Sequence, residues 1–183
     1  MGLYNRLQRF RDILNSHLVE RQLASVGFAF HAQYPTIVVG GENIRIGDEF
    51  SSMGTTYLYA NDGELNIGNS CSVNTNVQLG ASQGRIDIGD RVLVGPNVVL
   101  RAADHGIVTE SSPRFQSHSS GIITVGDDVW IGANAVVTRN VNLGAGCVIG
   151  AGAVVTRDVP PNAIAVGVPA KVIGYREPQV ATG

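Results

Sequence analysis

Branched aliphatic residues recur every six positions along most of this chain. Val125, Ile131, Val137, Leu143, Ile149 and Val155 form one unbroken series, Ile88, Val94 and Leu100 a second, and Ile67, Val73 and Leu79 a third. A period of six fits neither the 3.6-residue repeat of a helix nor the two-residue alternation of a half-buried strand. It fits a short strand followed by a corner. The aliphatic points into a core, and four residues on a small or apolar side chain points in again. Cys71, Val92, Val129, Ala135, Cys147 and Ala153 hold that second position. Corners need backbone that tolerates positive φ, which Asn, Asp and Gly supply. Asn76, Asn97, Asp128, Asn134, Asn140, Gly146, Gly152 and Asp158 stand one position before a second core residue. Turn chemistry and hydrophobic period therefore agree in register.

A longer phrase, aliphatic-x-aliphatic-Gly-Asp/Asn, marks the coils. It occurs at Ile44–Asp48, Leu65–Asn69, Ile86–Asp90 and Ile123–Asp127, with a looser copy from Val141. Three six-residue units make an 18-residue coil, and coils start at Ile46, Ile67, Ile88, Val125 and Leu143. The interval from Ile88 to Val125 is one coil plus 19 residues, assigned to an insert at 106–124. The pattern predicts an all-β fold, a parallel β-helix of hexapeptide repeats whose successive coils pair about 4.8 Å apart. Thr36–Gly41 would open an incomplete first coil. The expected organisation is a helical capping segment over 1–36, the solenoid over 37–173 and a tail over 174–183.

The period changes near the N-terminus. Leu3, Leu7, Phe10, Leu14 and Leu18 follow helical spacing, with Arg6, Arg9, Arg11 and Arg21 among them and Asp12 and Glu20 opposing. The plain reading is a short amphipathic helix that caps the open end of the solenoid. A sharper reading lays this basic helix weakly on a membrane surface. At the other end Pro160-Pro161 and Val168-Pro169 break the repeat.

Composition narrows the class. Of 183 residues 44% are hydrophobic and 15% charged, which excludes a disordered chain. The net charge of −2 supplies no bulk field for nucleic acid. Cys71 and Cys147 have no metal-ligand spacing and read as core filler. No apolar run approaches the roughly 20 residues a membrane span needs. The expectation is a cytoplasmic protein with free thiols.

Three stretches are specific: Val125-Gly-Asp-Asp-Val-Trp-Ile-Gly-Ala-Asn-Ala-Val-Val137, Val148-Ile-Gly-Ala-Gly-Ala-Val-Val-Thr-Arg-Asp-Val-Pro-Pro161, and Val166-Gly-Val-Pro-Ala-Lys-Val-Ile173. Together they resemble the hexapeptide-repeat acyltransferases, closest in look to the sugar O-acetyltransferase branch of galactoside, maltose and polysaccharide enzymes. The resemblance covers roughly residues 37–173. It implies a left-handed helix, a homotrimer with active sites at subunit interfaces, and acetyl-CoA as donor with no metal required.

His105 is the candidate catalytic residue. It ends an 18-residue coil immediately before the long insert, a rigid mount beside a loop. Acyl transfer to an alcohol needs a base near neutral pH, which an imidazole supplies. Laid on the family's segment, Val98-Val-Leu-Arg-Ala-Ala-Asp-His105 places His105 at the family's catalytic histidine. The same resemblance assigns Ala133 and Ala151 as main-chain contacts to the donor, Thr156 and Arg157 as the match to a Thr-Lys pair, and Lys171 as a basic contact. Arg176 adds charge, with ordinary solvated surface as its bland reading. Asn74 matches an acceptor-binding Asn and equally suits a coil corner; a carboxylate that some sugar-binding members use is replaced by Ser82 and Gln83. His17, His31 and His118 read as surface residues, His118 with a role in shaping the acceptor pocket as its alternative. Asp104 falls outside the catalytic set, because adjacent strand residues point oppositely.

The expected function is therefore acetyl transfer from acetyl-CoA to a sugar hydroxyl, of a surface-polysaccharide precursor. Amines in place of alcohols would make it an N-acetyltransferase on an amino-sugar or nucleotide-sugar. A carbonic-anhydrase-type metal enzyme would need three converging histidines, and only His105 and His118 are near one another in sequence. A solenoid that only binds a partner would leave His105 and the donor motifs without a role.

Overall fold

The computed structural model describes residues 3–177. A parallel solenoid of three β-sheets follows one N-terminal helix, Leu3–Glu20. Each coil contributes one short strand to each face. The first face stacks Ser25–Val26, Ile44–Ile46, Glu64–Ile67, Arg85–Ile88, Ile122–Val125 and Val141–Leu143. The second runs from His31–Ala32 through Ser72–Val73, Leu93–Val94 and Trp130–Ile131 to Ala163–Val166, closed by the antiparallel Lys171–Tyr175. The third runs from Thr36–Val39 through Val77–Gly80 and Val99–Arg101 to Val154–Val155.

The six-residue period is the packing rule of the core. Every aliphatic in the three series is at most 5% exposed, and Cys71, Val92, Val129, Ala135, Cys147 and Ala153 are buried with them. The corners Asn76, Asn97, Asp128, Asn134, Asn140, Gly146 and Gly152 take positive φ as the turn chemistry requires. Asp158 does not. Its carboxylate accepts from the Asn142 N–H at 2.8 Å instead, so it serves as a side-chain acceptor rather than a left-handed corner.

The Gly-Asp/Asn phrase builds a ladder between coils. Asn69 Oδ1 accepts from the Asp48 N–H at 2.9 Å, Asp90 Oδ1 from the Asn69 N–H at 2.7 Å, and Asp127 Oδ1 from the Asp90 N–H at 2.9 Å. The preceding glycine makes room for it: a Cβ on Gly47 would stand 2.5 Å from Asn69 Oδ1.

The solenoid begins at Ser25, where Ser25–Val26 pairs in parallel with Arg45–Ile46. Its first coil is complete and does not open at Thr36, since Ser25–Val26, His31–Ala32 and Thr36–Val39 each pair with the next coil; the sequence hides it because Ser25-Val26-Gly27-Phe28 carries no Ile-x-Ile-Gly-Asp phrase. The insert also differs in phase. The chain leaves the third face after Ala102 and rejoins the first at Ile122, the same 19-residue length shifted three residues earlier than 106–124. Counting coils fixes the length of an excursion but not where along the corner it departs. Of the 174–183 tail, residues 178–183 lie outside the described residues.

The helix covers the open end of the solenoid through its polar side. The edge strand His31–Ala32 exposes main-chain groups that no earlier coil pairs. Asn15 Nδ2 donates to the Ala32 carbonyl at 2.8 Å, the Ala32 N–H donates to Ser16 Oγ at 2.9 Å, and the Tyr34 N–H donates to Asp12 Oδ1 at 3.1 Å. Val19 is the buried apolar contact. The apolar stripe faces solvent: Leu7 is 59% exposed, Phe10 66%, Leu14 48% and Leu18 52%.

Candidate active site

His105 sits on a two-stranded antiparallel ribbon that projects from the edge between the third and first faces. Ala103–His105 pairs with His118–Ser120, and His105 lies directly across from His118. Their rings are 4.2 Å apart, centroid to centroid, at 43°. Two devices hold this ribbon, which as an isolated hairpin would be marginal. Asp104 Oδ2 accepts from Arg139 Nε at 2.7 Å, tying the ribbon to the corner of the next coil. Gln116 closes the loop: its Oε1 accepts from the Val108 N–H at 2.9 Å, and its Nε2 donates to the carbonyls of Val108 at 2.9 Å and Ser111 at 2.6 Å. The imidazole of His105 borders a cleft of about 340 Å³ shared with Pro113 and Arg114.

Ala133 and Ala151 lie one coil apart on a different edge, between the second and third faces. Gly152 N–H donates to the Ala133 carbonyl at 2.8 Å. Among the described residues the N–H groups of Ala133 and Ala151 donate no hydrogen bond, so the fold itself uses neither. Asn74 occupies the same edge several coils earlier. Its Oδ1 accepts from the Thr75 N–H at 2.7 Å, a local corner bond that leaves the side-chain amide hydrogens available.

Thr156 and Arg157 are exposed at the His105 edge, just past Val154–Val155. Lys171 lies apart from them, opposite Val166 at the start of the closing strand of the second face, where the chain's return ties it beside Val154. Val154 N–H donates to the Gly167 carbonyl at 3.0 Å and Ala170 N–H to the Val154 carbonyl at 2.8 Å. Arg176 is placed elsewhere. It donates to the Gly146 carbonyl at 2.9 Å and lines a cleft of about 560 Å³ with Asp128 and Asn162, on the edge between the first and second faces. Beside it the Arg91 guanidinium grips Asp128 at 2.7 and 2.9 Å and holds that carboxyl below its ordinary range. Trp130 is half-exposed on the second face, between Leu93 and Val148.

One chain thus divides the predicted residues between two edges. His105, Thr156 and Arg157 stand on one, and Asn74, Ala133 and Ala151 on the other, with the width of the third face between them. Sequence reasoning left His118 at the surface and missed Gln116 and Arg139. The register of a hairpin across a 12-residue loop has no local sequence signal. The Arg139 contact spans 35 residues. Among the described residues no three His, Cys, Asp or Glu side chains converge as a metal-ligand set.

Comparison with known proteins agrees with this architecture. The family model for the bacterial transferase hexapeptide (six repeats) matches residues 123–157. The galactoside O-acetyltransferase of Escherichia coli K12 is 39% identical over 51 residues, 28% of this chain and 25% of that protein. The matched segment thus spans about a quarter of that relative's length. A galactoside acetyltransferase solved in complex with coenzyme A is 30% identical, with a TM-score of 0.59, over 87% of this chain and 68% of that one. A mutant of AntD, an N-acyltransferase from Bacillus cereus solved with dTDP and coenzyme A, has a TM-score of 0.79 over 89% of both chains at 21% identity, a likeness of fold. With its six-residue core period, its three-faced solenoid and this likeness over two thirds of a galactoside acetyltransferase, the chain belongs to the hexapeptide-repeat acyltransferase family.

Proposed function

We propose that the chain is an acetyl-CoA-dependent O-acetyltransferase acting on a sugar hydroxyl, of a cytoplasmic surface-polysaccharide precursor, with His105 as general base. The observation that carries this reading is the mounting of His105: an imidazole on a pinned ribbon, at the mouth of a cleft, in a chain whose relatives include a galactoside acetyltransferase solved with coenzyme A.

His105 takes the proton of the acceptor hydroxyl as its oxygen attacks the thioester carbonyl. The C–O bond forms, the C–S bond breaks, and the proton passes to the departing thiolate. No covalent acyl-enzyme is needed. The N–H groups of Ala133 and Ala151, which the fold does not use, suit the amide carbonyls of a pantetheine arm, and Thr156, Arg157 and Lys171 suit phosphates. The split of these residues between two edges supports a site formed where copies meet. In a homotrimer of parallel solenoids, the edge bearing Asn74, Ala133 and Ala151 in one copy lies against the edge bearing His105 in the next.

The test is acetyl transfer to a panel of sugars, amino-sugars and nucleotide-sugars. Hydroxyl acceptors are expected to be acetylated, and His105→Ala to lose about 10²- to 10⁴-fold in rate. Transfer only to amines would make the enzyme an N-acetyltransferase, and full activity in His105→Ala would remove His105 from the reaction.

A further inference from the structure

We propose that the exposed face of the N-terminal helix docks on an anionic lipid surface. An apolar helical stripe ordinarily packs inward. Here Tyr4, Leu7, Phe10, Ile13, Leu14 and Leu18 are each about half exposed or more, while the polar side of the helix already caps the solenoid through Asn15, Ser16 and Asp12. The stripe is therefore not consumed by folding.

Charge identifies the occupant. Residues 1–21 carry four arginines against Asp12 and Glu20, whereas the remaining residues carry nine basic and thirteen acidic side chains. In a chain of net charge −2 the segment that bears the apolar stripe is thus net positive, with Arg6, Arg9 and Arg11 on the helix and Arg21 just past its end. Helical spacing puts Arg6 on one border of the stripe, with Arg9 beyond it, and Arg11 on the other, where its guanidinium sits 4.7 Å over the Tyr34 ring. Asp12 is turned toward the solenoid, bonded to the Tyr34 N–H and 3.9 Å from Arg11. Apolar side chains flanked by arginines are the arrangement of a helix lying in a membrane interface, its stripe among the acyl chains and its guanidiniums at the headgroups. A second copy fits less well: joining two stripes face to face would set their basic borders against each other. Lipid phosphates would neutralise those borders, and the acidic remainder of the chain would keep the solenoid off the surface.

Vesicle flotation with the full chain tests this. Phosphatidylcholine vesicles containing about one third phosphatidylglycerol are expected to bind the protein at least about tenfold more strongly than pure phosphatidylcholine. Phe10→Glu with Leu14→Glu should weaken that binding about tenfold or more, and Arg6→Gln with Arg9→Gln about fivefold or more. Circular dichroism and solution mass should remain those of the parent. Absence of binding to anionic vesicles, or equal binding by parent and both variants, overturns the proposal. So does a fall in solution mass on Phe10→Glu, which would make the stripe a contact between copies.

Discussion

The imidazoles of His105 and His118 face each other at 4.2 Å across an antiparallel ribbon, although twelve residues of loop separate them in sequence. The His118 ring packs against the His105 ring at a tilt of 43°, and His105 also lines the cleft with Pro113 and Arg114. Removing the His118 ring frees the candidate base to rotate. His118→Ala is expected to lower kcat roughly ten- to hundredfold, since loss of alignment at a reacting group carries that penalty, and to leave KM for acetyl-CoA unchanged. His118→Phe keeps a ring against His105 and should recover most of kcat. Equal impairment in both variants would mean that ring packing is not what His118 provides.

The ion pair between Asp104 and Arg139 leads to a different split. Its side chains are 52% and 35% exposed, so its net contribution to stability is small, about 1 kcal/mol or less. Its contribution to the ribbon is geometric, because it is the charged tie from the His105 strand to the next coil. Arg139→Gln should therefore shift the thermal midpoint little while lowering kcat severalfold. In a double-mutant cycle with Asp104→Asn the two losses in kcat should not add. Full additivity would show that the pair does not act as a unit.

The solenoid was legible because its core obeys a local rule. Each coil repeats one short arithmetic of aliphatic, corner and small residue, so Val125 through Val155 announce both their burial and their spacing. The first coil was hidden because Ser25-Val26-Gly27 lacks the phrase, and only pairing with Arg45–Ile46 reveals it. The orientation of the helix was not legible, for a physical reason. Sequence periodicity finds which residues share a face, but the end of a solenoid presents unpaired main chain, which rewards Asn15 and Ser16 over Leu14 and Leu18. At the site the break in the repeat pointed to the neighbourhood of His105, but counting coils set it at the end of a coil, whereas it stands on the ribbon, within the excursion that begins after Ala102. Its surroundings were not legible, because His118 meets it through hairpin register and Arg139 holds the adjacent Asp104 through coil stacking rather than through neighbouring sequence.

Ser52 is a local conflict within the core. It occupies the inward position that Val73, Val94, Ile131 and Ile149 fill in later coils of the same face, and it is 1% exposed. Its hydroxyl has no hydrogen-bond partner among the described residues. A buried hydroxyl without a partner costs about 1–3 kcal/mol, so Ser52→Ala should raise stability by about 1 kcal/mol, read from the denaturant midpoint at unchanged m-value. Ser52→Val, matching the next coil, should do at least as well if the space admits a second methyl. A drop in midpoint for both would show that the hydroxyl is satisfied in solution.

The two cysteines contribute to the alkaline limit of the fold. Both are buried in the solenoid core, and burial pushes the Cys147 thiol up to about 11 and raises Cys71 as well, with main-chain hydrogen bonds opposing the rise at Cys71. A thiol with a raised pKa holds its proton more tightly in the folded chain than in the unfolded one, where it titrates near its ordinary 9.0. The stability it contributes is complete below that ordinary value and is lost as pH rises through the folded one. Unfolding free energy should therefore fall between about pH 9 and 11, by at most about 3 kcal/mol for Cys147. Cys147→Ala should flatten this limb, at the expense of about 1 kcal/mol at neutral pH for the lost sulfur. Below pH 9 neither thiol should react with a disulfide reagent until denaturant is added, since the thiolate is the nucleophile and both sulfurs are enclosed. Rapid modification of the native chain at pH 8 would contradict the placement of both cysteines in the core.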